Sequence, residues 1–174
     1  FYNFQYNWLY ALGKWNVGEG ELRLKVGGGV DTRLGFLYNM RNSNNPAQAY
    51  GQVNIAPNAV AAYHFRLRNL PFQLRYEVQV PLIGLTFSPN YGQSYYEIFT
   101  RDNYDHNLVV TSPVSAPSVR QLLTLDFTVH HTTFRVGYLG DYQQAKINQL
   151  RQHVWSNLLV LGIVRKFSIN KFIP

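Results

Sequence analysis

Hydrophobic and polar residues alternate along several segments of this chain, each about ten residues long or longer. In residues 72–82 the apolar and polar positions are Phe72, Leu74, Tyr76, Val78, Val80 and Leu82 against Gln73, Arg75, Glu77 and Gln79. Successive side chains of a β-strand point to opposite faces, so this alternation predicts a strand with one apolar and one polar face. Such strands suit a transmembrane β-barrel, with lipid on one side and a polar lumen on the other.

The same pattern predicts seven strands in all. Their approximate ranges are 2–14, 21–38, 49–67, 72–82, 119–130, 134–141 and 153–169. In the first strand, aromatic residues from Tyr2 to Tyr10 alternate with Asn3, Gln5 and Asn7, and we expect Gly13 on the same face as these amides. Three consecutive glycines, 27–29, predict a sharp bend or a close approach in the second strand.

The predicted connections alternate in length. Those at 16–20, 68–71 and 130–132 are short, and those at 40–48, 84–117 and 142–152 are longer. Outer-membrane barrels have short periplasmic turns and longer extracellular loops, so we expect 84–117 to be a long extracellular loop. Seven strands cannot close a barrel with an even strand count. We therefore expect residues 1–174 to form a single domain that belongs to a larger barrel, with at least one strand before Phe1.

Composition narrows the function classes. Charged residues make up 14% of the chain, against about 25% in soluble domains, while Tyr, Phe and Trp are abundant. The chain has no Cys and no apolar run near the roughly 20 residues of a membrane-spanning helix. The formal net charge is +7, but the basic residues are spread over separate strands, which argues against nucleic-acid binding.

A soluble antiparallel barrel or sandwich, such as a lipocalin, is the alternative fold, with its apolar face turned inward. Alternation alone does not distinguish the two folds. The polar positions, however, are rich in Gly, Asn, Gln and Thr, whereas solvated strands are usually rich in Lys and Glu. The aromatic residues also suit the interfacial girdles of a membrane protein, so we favour the membrane barrel.

Two stretches resemble a family of uncharacterised Bacteroidota proteins that is known only as a domain of unknown function. They are residues 37–47, with the Asn-rich segment, and residues 70–76 through 87–98, with the Ser-Pro-Asn-Tyr-Gly segment. A weaker likeness continues through 134–138 to the last predicted strand. The resemblance implies an exported outer-membrane barrel of roughly ten strands in a Gram-negative bacterium, and it implies no activity.

Candidate catalytic and metal-binding groups are sparse. His153 and Ser156 are close in sequence, but their spacing puts them on opposite faces of a strand. His64 faces the predicted lumen, where Asp126 or Ser156 could complete a hydrolase site. His130 and His131 lack a third ligand, and Glu97, Asp102 and Asp105 do not follow a calcium-loop pattern. We expect no catalytic site, no metal and no cofactor.

The predicted lumen carries many charges. They are Arg23, Lys25, Asp31, Arg33, Arg66, Arg75, Glu77, Asp126, Arg135 and Asp141. In a narrow barrel such residues pair and fill the bore, whereas in a wider one they line an anion-preferring channel.

The long loop carries four aromatic residues that are candidates for binding a partner. They are Tyr91, Tyr95, Tyr96 and Phe99. The leading hypothesis is a non-enzymatic scaffold or accessory subunit of an envelope complex, in contact with outer-membrane lipid and with other outer-membrane or periplasmic proteins. The alternatives are a small-solute or anion pore and an outer-membrane lipid hydrolase.

Overall fold

The fold is all-β, with one short helix. A computed structural model describes residues 2–38, 40, 46–129 and 132–164. The strands are β1 (Tyr2–Val17), β2 (Gly20–Tyr38), β3 (Ala47–Leu67), β4 (Leu70–Gln79), β5 (Ile83–Phe87), β6 (Leu108–Thr111), β7 (Ser118–Val129), β8 (Thr132–Ile147) and β9 (Leu150–Val164), and helix α1 is Tyr95–Thr100.

All nine strands form one antiparallel sheet. Its main path runs β1-β2-β3-β4-β7-β8-β9, while β5 pairs with the far end of β3 and β6 pairs with β5. Within the described residues β1 and β9 have a neighbour on one side only, so the sheet does not close. The seven strands of the main path correspond to the seven that the alternation predicted.

One predicted connection is wrong. Residues 142–152 are not a loop, because β8 continues to Ile147 and β9 starts at Leu150 after a two-residue turn at Asn148 and Gln149, both with positive φ. Polar side chains on both strands hid the pairing of Gln144 with His153. The predicted connection 84–117 contains α1, β6 and all but the first residue of β5.

The sheet buries its polar face and exposes its apolar face. Buried residues among those described include twelve polar or charged residues and six hydrophobic ones. On the opposite face Tyr2, Phe4, Trp8 and Tyr10 are between 66% and 84% exposed. A soluble domain buries its aliphatic and aromatic residues, so this distribution is the reverse of the one expected for a lipocalin-like protein. We call the polar side the inner face and the apolar side the outer face.

Side chains from distant strands meet across the inner face. Arg120 of β7 donates to Asn3 of β1 at 2.6 Å. Strand pairing aligns Arg120 with Leu9 of β1, six positions away from Asn3. The contact therefore requires a sheet that curls strongly and whose strands are tilted, as they are in barrels.

Two irregularities shape the β1–β2 pair. A register shift between Ala11 and Gly13 places Gly13 opposite Leu24 on the outer face, beneath the Trp15 ring, so the prediction that it lies with the amides is wrong. A Cβ at Gly27 would lie 1.8 Å from the Trp8 carbonyl oxygen. The predicted close approach at the glycines is thus made by the backbone of β1.

Some predicted features lie outside the described residues. They are the Asn-rich segment 41–45, His130, His131 and the end of the last predicted strand, 165–169.

Candidate functional site

The most buried charges of the inner face belong to Asp31 and Arg33 on β2. Arg33 Nε donates to Asp31 Oδ2 at 2.7 Å, and the two side chains are 3% and 0% exposed. Asp31 also accepts hydrogen bonds from the amides of Asn3, Gln5 and Asn54, at 2.6, 3.3 and 3.4 Å. A buried carboxylate needs this many donors, because removing it from water is costly unless it is paired and hydrogen-bonded.

Asp141 of β8 joins this cluster from across the inner face. Its carboxylate lies 3.4 Å from Arg33 Nη1 and 3.7 Å from Arg120 Nη1. Nearby, the Tyr50 hydroxyl on β3 lies 3.0 Å from Gln143 Oε1 on β8. The Arg33–Asp141 and Tyr50–Gln143 contacts join β2 and β3 to β8, which is adjacent to neither of them in the sheet. We call Asp31, Arg33, Arg120 and Asp141 the central ion cluster.

Two further ion pairs lie closer to the turns at 18–19 and 68–69. Arg135 holds Asp126 through two hydrogen bonds of 2.6 and 2.7 Å, the fork geometry that makes arginine–carboxylate pairs strong. Arg75 Nη2 donates to Glu77 at 2.6 Å, and Glu77 also accepts from Asn58.

The remaining predicted lumen residues are basic. Arg23 pairs with Glu21, which is not among the ten predicted charges. Lys25 and Arg66 are exposed, and neither forms an ion pair within the described part of the chain. The structure therefore brings seven of the ten predicted charges into pairs with one another or with Arg120. The other three are Arg23, Lys25 and Arg66.

Sequence reasoning missed Arg120, Tyr50 and the amides that complete the central ion cluster. Arg120 and Asp126 have the same parity on one strand, so the alternation contained the signal for Arg120. For Tyr50 there was none, because an aromatic residue on a two-faced strand is usually assigned to the apolar face.

The structure separates Ser156 from His64, whereas Asp126, which the strand register aligns with His64 through Gln73, is bonded to Arg135. In the strand register His153 lies opposite Gln144, and Ser156 lies opposite Asp141. His153 and Ser156 are therefore on opposite faces of the sheet. His64 pairs with Glu21 and Gln73 near the 68–69 turn. Strand β3 contacts β8 near Ser156 through the Tyr50 hydroxyl. Tyr50 and His64 are fourteen residues apart on β3, a separation of about 45 Å along a strand. Among the described residues no group of three or more His, Asp or Glu could hold a metal ion.

The outer face carries a row of phenylalanines across four adjacent strands. Ring centroids are separated by 5.4 Å between Phe65 and Phe72, 6.2 Å between Phe72 and Phe127, and 5.7 Å between Phe127 and Phe134. This Phe row lies near the short turns. Toward the other end of β8 and β9, Tyr142 meets Trp155 edge to face at 6.1 Å.

The polar atoms between these two aromatic groups are hydrogen-bonded to tyrosines. Asn157 Oδ1 accepts from the hydroxyls of Tyr138 and Tyr142, the latter at 2.8 Å. Gln121 Oε1 accepts from the Tyr76 hydroxyl at 3.0 Å. An amide that faces an apolar environment needs such partners, since leaving it without one is costly.

Helix α1 is fixed by its own sequence. The Ser94 hydroxyl accepts from the Glu97 backbone N–H, while the Glu97 carboxylate accepts from the Ser94 backbone, which forms a capping box. These bonds from Ser94 lower the pKa of Glu97 below its ordinary value. The helix is thus a defined element of the 84–117 region.

The four aromatic candidates of this region differ in exposure. Tyr91, Tyr96 and Phe99 are 75%, 59% and 58% exposed. Tyr95 is half-buried, its hydroxyl accepts from the Ala49 N–H at 2.6 Å, and burial raises its pKa. Tyr95 therefore anchors α1 to β3, and Phe99 stacks against both Tyr95 and Phe87, at 6.0 and 6.1 Å.

Comparison with known proteins defines the family. No helix of the described residues has the length and apolarity to cross a membrane. No curated protein and no solved structure matches the chain. Residues 1–172 match a family described as "Protein of unknown function (DUF3316)". The chain belongs to this uncharacterised family.

Proposed function

We propose that the chain is an integral outer-membrane β-barrel protein of the Bacteroidota type, acting as a non-enzymatic scaffold or accessory subunit of an envelope complex. The reversed burial carries this proposal, since twelve of the buried residues are polar and the large aromatic residues of β1 are exposed. In water such a surface would drive aggregation, whereas in a bilayer it is the solvated surface.

The dimensions of the outer face suit a bilayer. Phe134 of the Phe row and Tyr142 are eight residues apart on β8. Eight residues span about 27 Å along a strand, or about 20 Å across the membrane at a tilt of about 40°. Outer-membrane barrels have an apolar band of about 25 Å between two aromatic girdles. The Phe row and the Tyr142–Trp155 pair are the girdles in this proposal.

In the proposal, further strands pair with the free edges of β1 and β9 and so close the barrel. Unpaired N–H and C=O groups are not tolerated in the hydrocarbon region, so β1 and β9 need partner strands there. The offset contacts across the inner face give the sheet the curl and tilt of a barrel wall. A barrel of roughly ten strands needs about three strands besides the seven of the main path.

A structural role follows from the filled inner face. The central ion cluster joins β2 to β8 and occupies space that a wide pore would keep open. Ser156, the suggested nucleophile, lies far from His64 along the sheet, and Asp126 is held by Arg135. Envelope scaffolds act through surfaces outside the bilayer, and the exposed aromatic residues of the 84–117 region provide such a surface.

Co-purification tests the subunit role. The full-length protein, tagged in its native host and extracted in mild detergent, is expected to bring down a defined outer-membrane or periplasmic partner. The double variant Tyr91→Ser with Tyr96→Ser, at two exposed side chains, should lose that partner and keep the fold, whereas Leu159→Ser on the outer face of β9 should keep the partner. A partner-free monomer after mild extraction would count against the subunit role.

A small-solute or anion pore is the second candidate, favoured by the surplus of basic residues near the short turns. Steady anion-selective conductance in planar bilayers would support it. Folded protein that inserts and stays silent would exclude it.

A further inference from the structure

A cavity in the inner face lies near the short turns, away from the central ion cluster. Its volume is about 260 Å³, below the roughly 300 Å³ at which pockets for drug-sized ligands begin, so it suits a small ion or a headgroup. Its lining is Leu9, Arg23, Lys25, Val60, Ala62, His64, Gln73 and Arg75. We call it the basic cavity.

The register explains why the cavity is open. In the strand register, Arg23 of β2 and Arg75 of β4 both lie opposite Ala62 of β3, one on each side of it. Their Cα atoms are thus about 10 Å apart, two strand spacings. The two long side chains rise on either side of a methyl group and leave a gap between them.

The charges around the gap favour an anion. Lys14, Arg23, Lys25 and Arg75 face this region, against the carboxylates of Glu21 and Glu77. Four cations and two carboxylates leave two positive charges in excess. Each carboxylate also engages only part of a guanidinium group, Arg23 through Nε and Arg75 through Nη2. The other N–H groups of both arginines remain available as donors.

We propose that the basic cavity binds a phosphate group, clamped by Arg23 and Arg75 and neutralised by Lys25. Guanidinium groups match phosphate oxygens two at a time, and the amide of Gln73 adds a neutral donor at the same wall. The phosphate comes either from a free ion or from a lipid headgroup. A second cavity of about 530 Å³ shares the lining residue His64 with the first and is also lined by Phe65 and Phe72 of the Phe row.

Titration calorimetry of the full-length protein, folded in zwitterionic detergent without phosphate, tests the site. Inorganic phosphate should bind saturably, and Lys25→Gln should weaken the binding by about tenfold, the equivalent of one charge-assisted contact. Lys146→Gln removes an equal charge at the end of β8 that lies away from the turns at 18–19 and 68–69, and it should leave phosphate binding unchanged. Lys25 forms no ion pair in the described part of the chain, so its substitution should not disturb the fold.

A second measurement separates the two sources of the phosphate. Mixed micelles with phosphatidic acid are compared with phosphatidylcholine alone, and lipid retained by the purified protein is measured by mass spectrometry. Retention of phosphatidic acid that Lys25→Gln abolishes assigns the cavity to a headgroup. Binding of inorganic phosphate alone assigns it to the free ion. Absence of both, or binding that Lys25→Gln and Arg75→Gln leave unchanged, would overturn the proposal.

Discussion

Arg33→Gln is the substitution that most directly tests whether the central ion cluster holds the sheet in its curled form. Arg33 lies between two carboxylates, 2.7 Å from Asp31 and 3.4 Å from Asp141. Glutamine preserves much of the volume and a donor but removes the positive charge. Asp31, which is fully buried, then keeps only amide donors, and Asp141 keeps Arg120 at 3.7 Å and the Gln143 amide at 3.2 Å.

The expected loss follows from the burial of these groups. Removing one partner of a buried ion pair costs about 3–5 kcal/mol, because the other charge is left buried and uncompensated. A total stability of about 5–15 kcal/mol makes that loss a large fraction of the whole. Arg33→Lys should recover part of it, since it restores the charge without the planar fork that reaches two carboxylates.

Denaturant unfolding in detergent micelles, followed by tryptophan fluorescence, measures the change. The control is Arg151→Gln, an exposed arginine on β9, which should stay within about 0.5 kcal/mol of the parent. A change of less than about 1 kcal/mol in the free energy of unfolding on Arg33→Gln, with an unchanged slope with denaturant, would contradict this role of the central ion cluster.

Three further predictions test other parts of the fold. Asp126→Asn breaks the two-bond pair with Arg135 and should cost about 3 kcal/mol in the same unfolding assay; a neutral result would show that the pair is not needed. Gly27→Ala places a methyl group 1.8 Å from the Trp8 carbonyl oxygen and should cost about 1–3 kcal/mol or displace β1, whereas Gly162→Ala, with nothing within 4 Å of its Cβ, should be tolerated. Ser94→Ala should loosen α1 by about 1 kcal/mol in amide exchange. Because the folded-state pKa of Glu97 is lowered, its stabilisation of the helix is present above the ordinary glutamate pKa and is lost as pH falls through the lower folded value, so exchange within α1 that is independent of pH across that range would contradict the capping box.

The alternation of residues 72–82 was sufficient to predict strands and their two faces, because the side-chain period of a strand is a local property. It failed where a single residue changes the period, as at Leu12, where the register shift moves Gly13 to the other face. It also failed at Asn148 and Gln149, because a two-residue turn between polar strand ends has the composition of a longer loop.

The candidate site was predictable in its residue types but not in its pairings. Asp31 and Arg33 are two positions apart on one strand, so their pairing is local. The contact of Arg33 with Asp141 depends on the curl and tilt of the sheet, which no short segment encodes. The same holds for the basic cavity, because Arg23 and Arg75 become neighbours only through Ala62 of the strand between them.

Fluorescence quenching of the native tryptophans tests the central claim, that the outer face contacts lipid. Trp8, Trp15 and Trp155 are the three tryptophans of the chain, and their side chains are 66%, 47% and 65% exposed on the outer face. In vesicles of phospholipids with brominated acyl chains, the proposal predicts strong quenching by the lipid and weak quenching by aqueous iodide. Strong iodide quenching without any effect of the brominated lipid would contradict it.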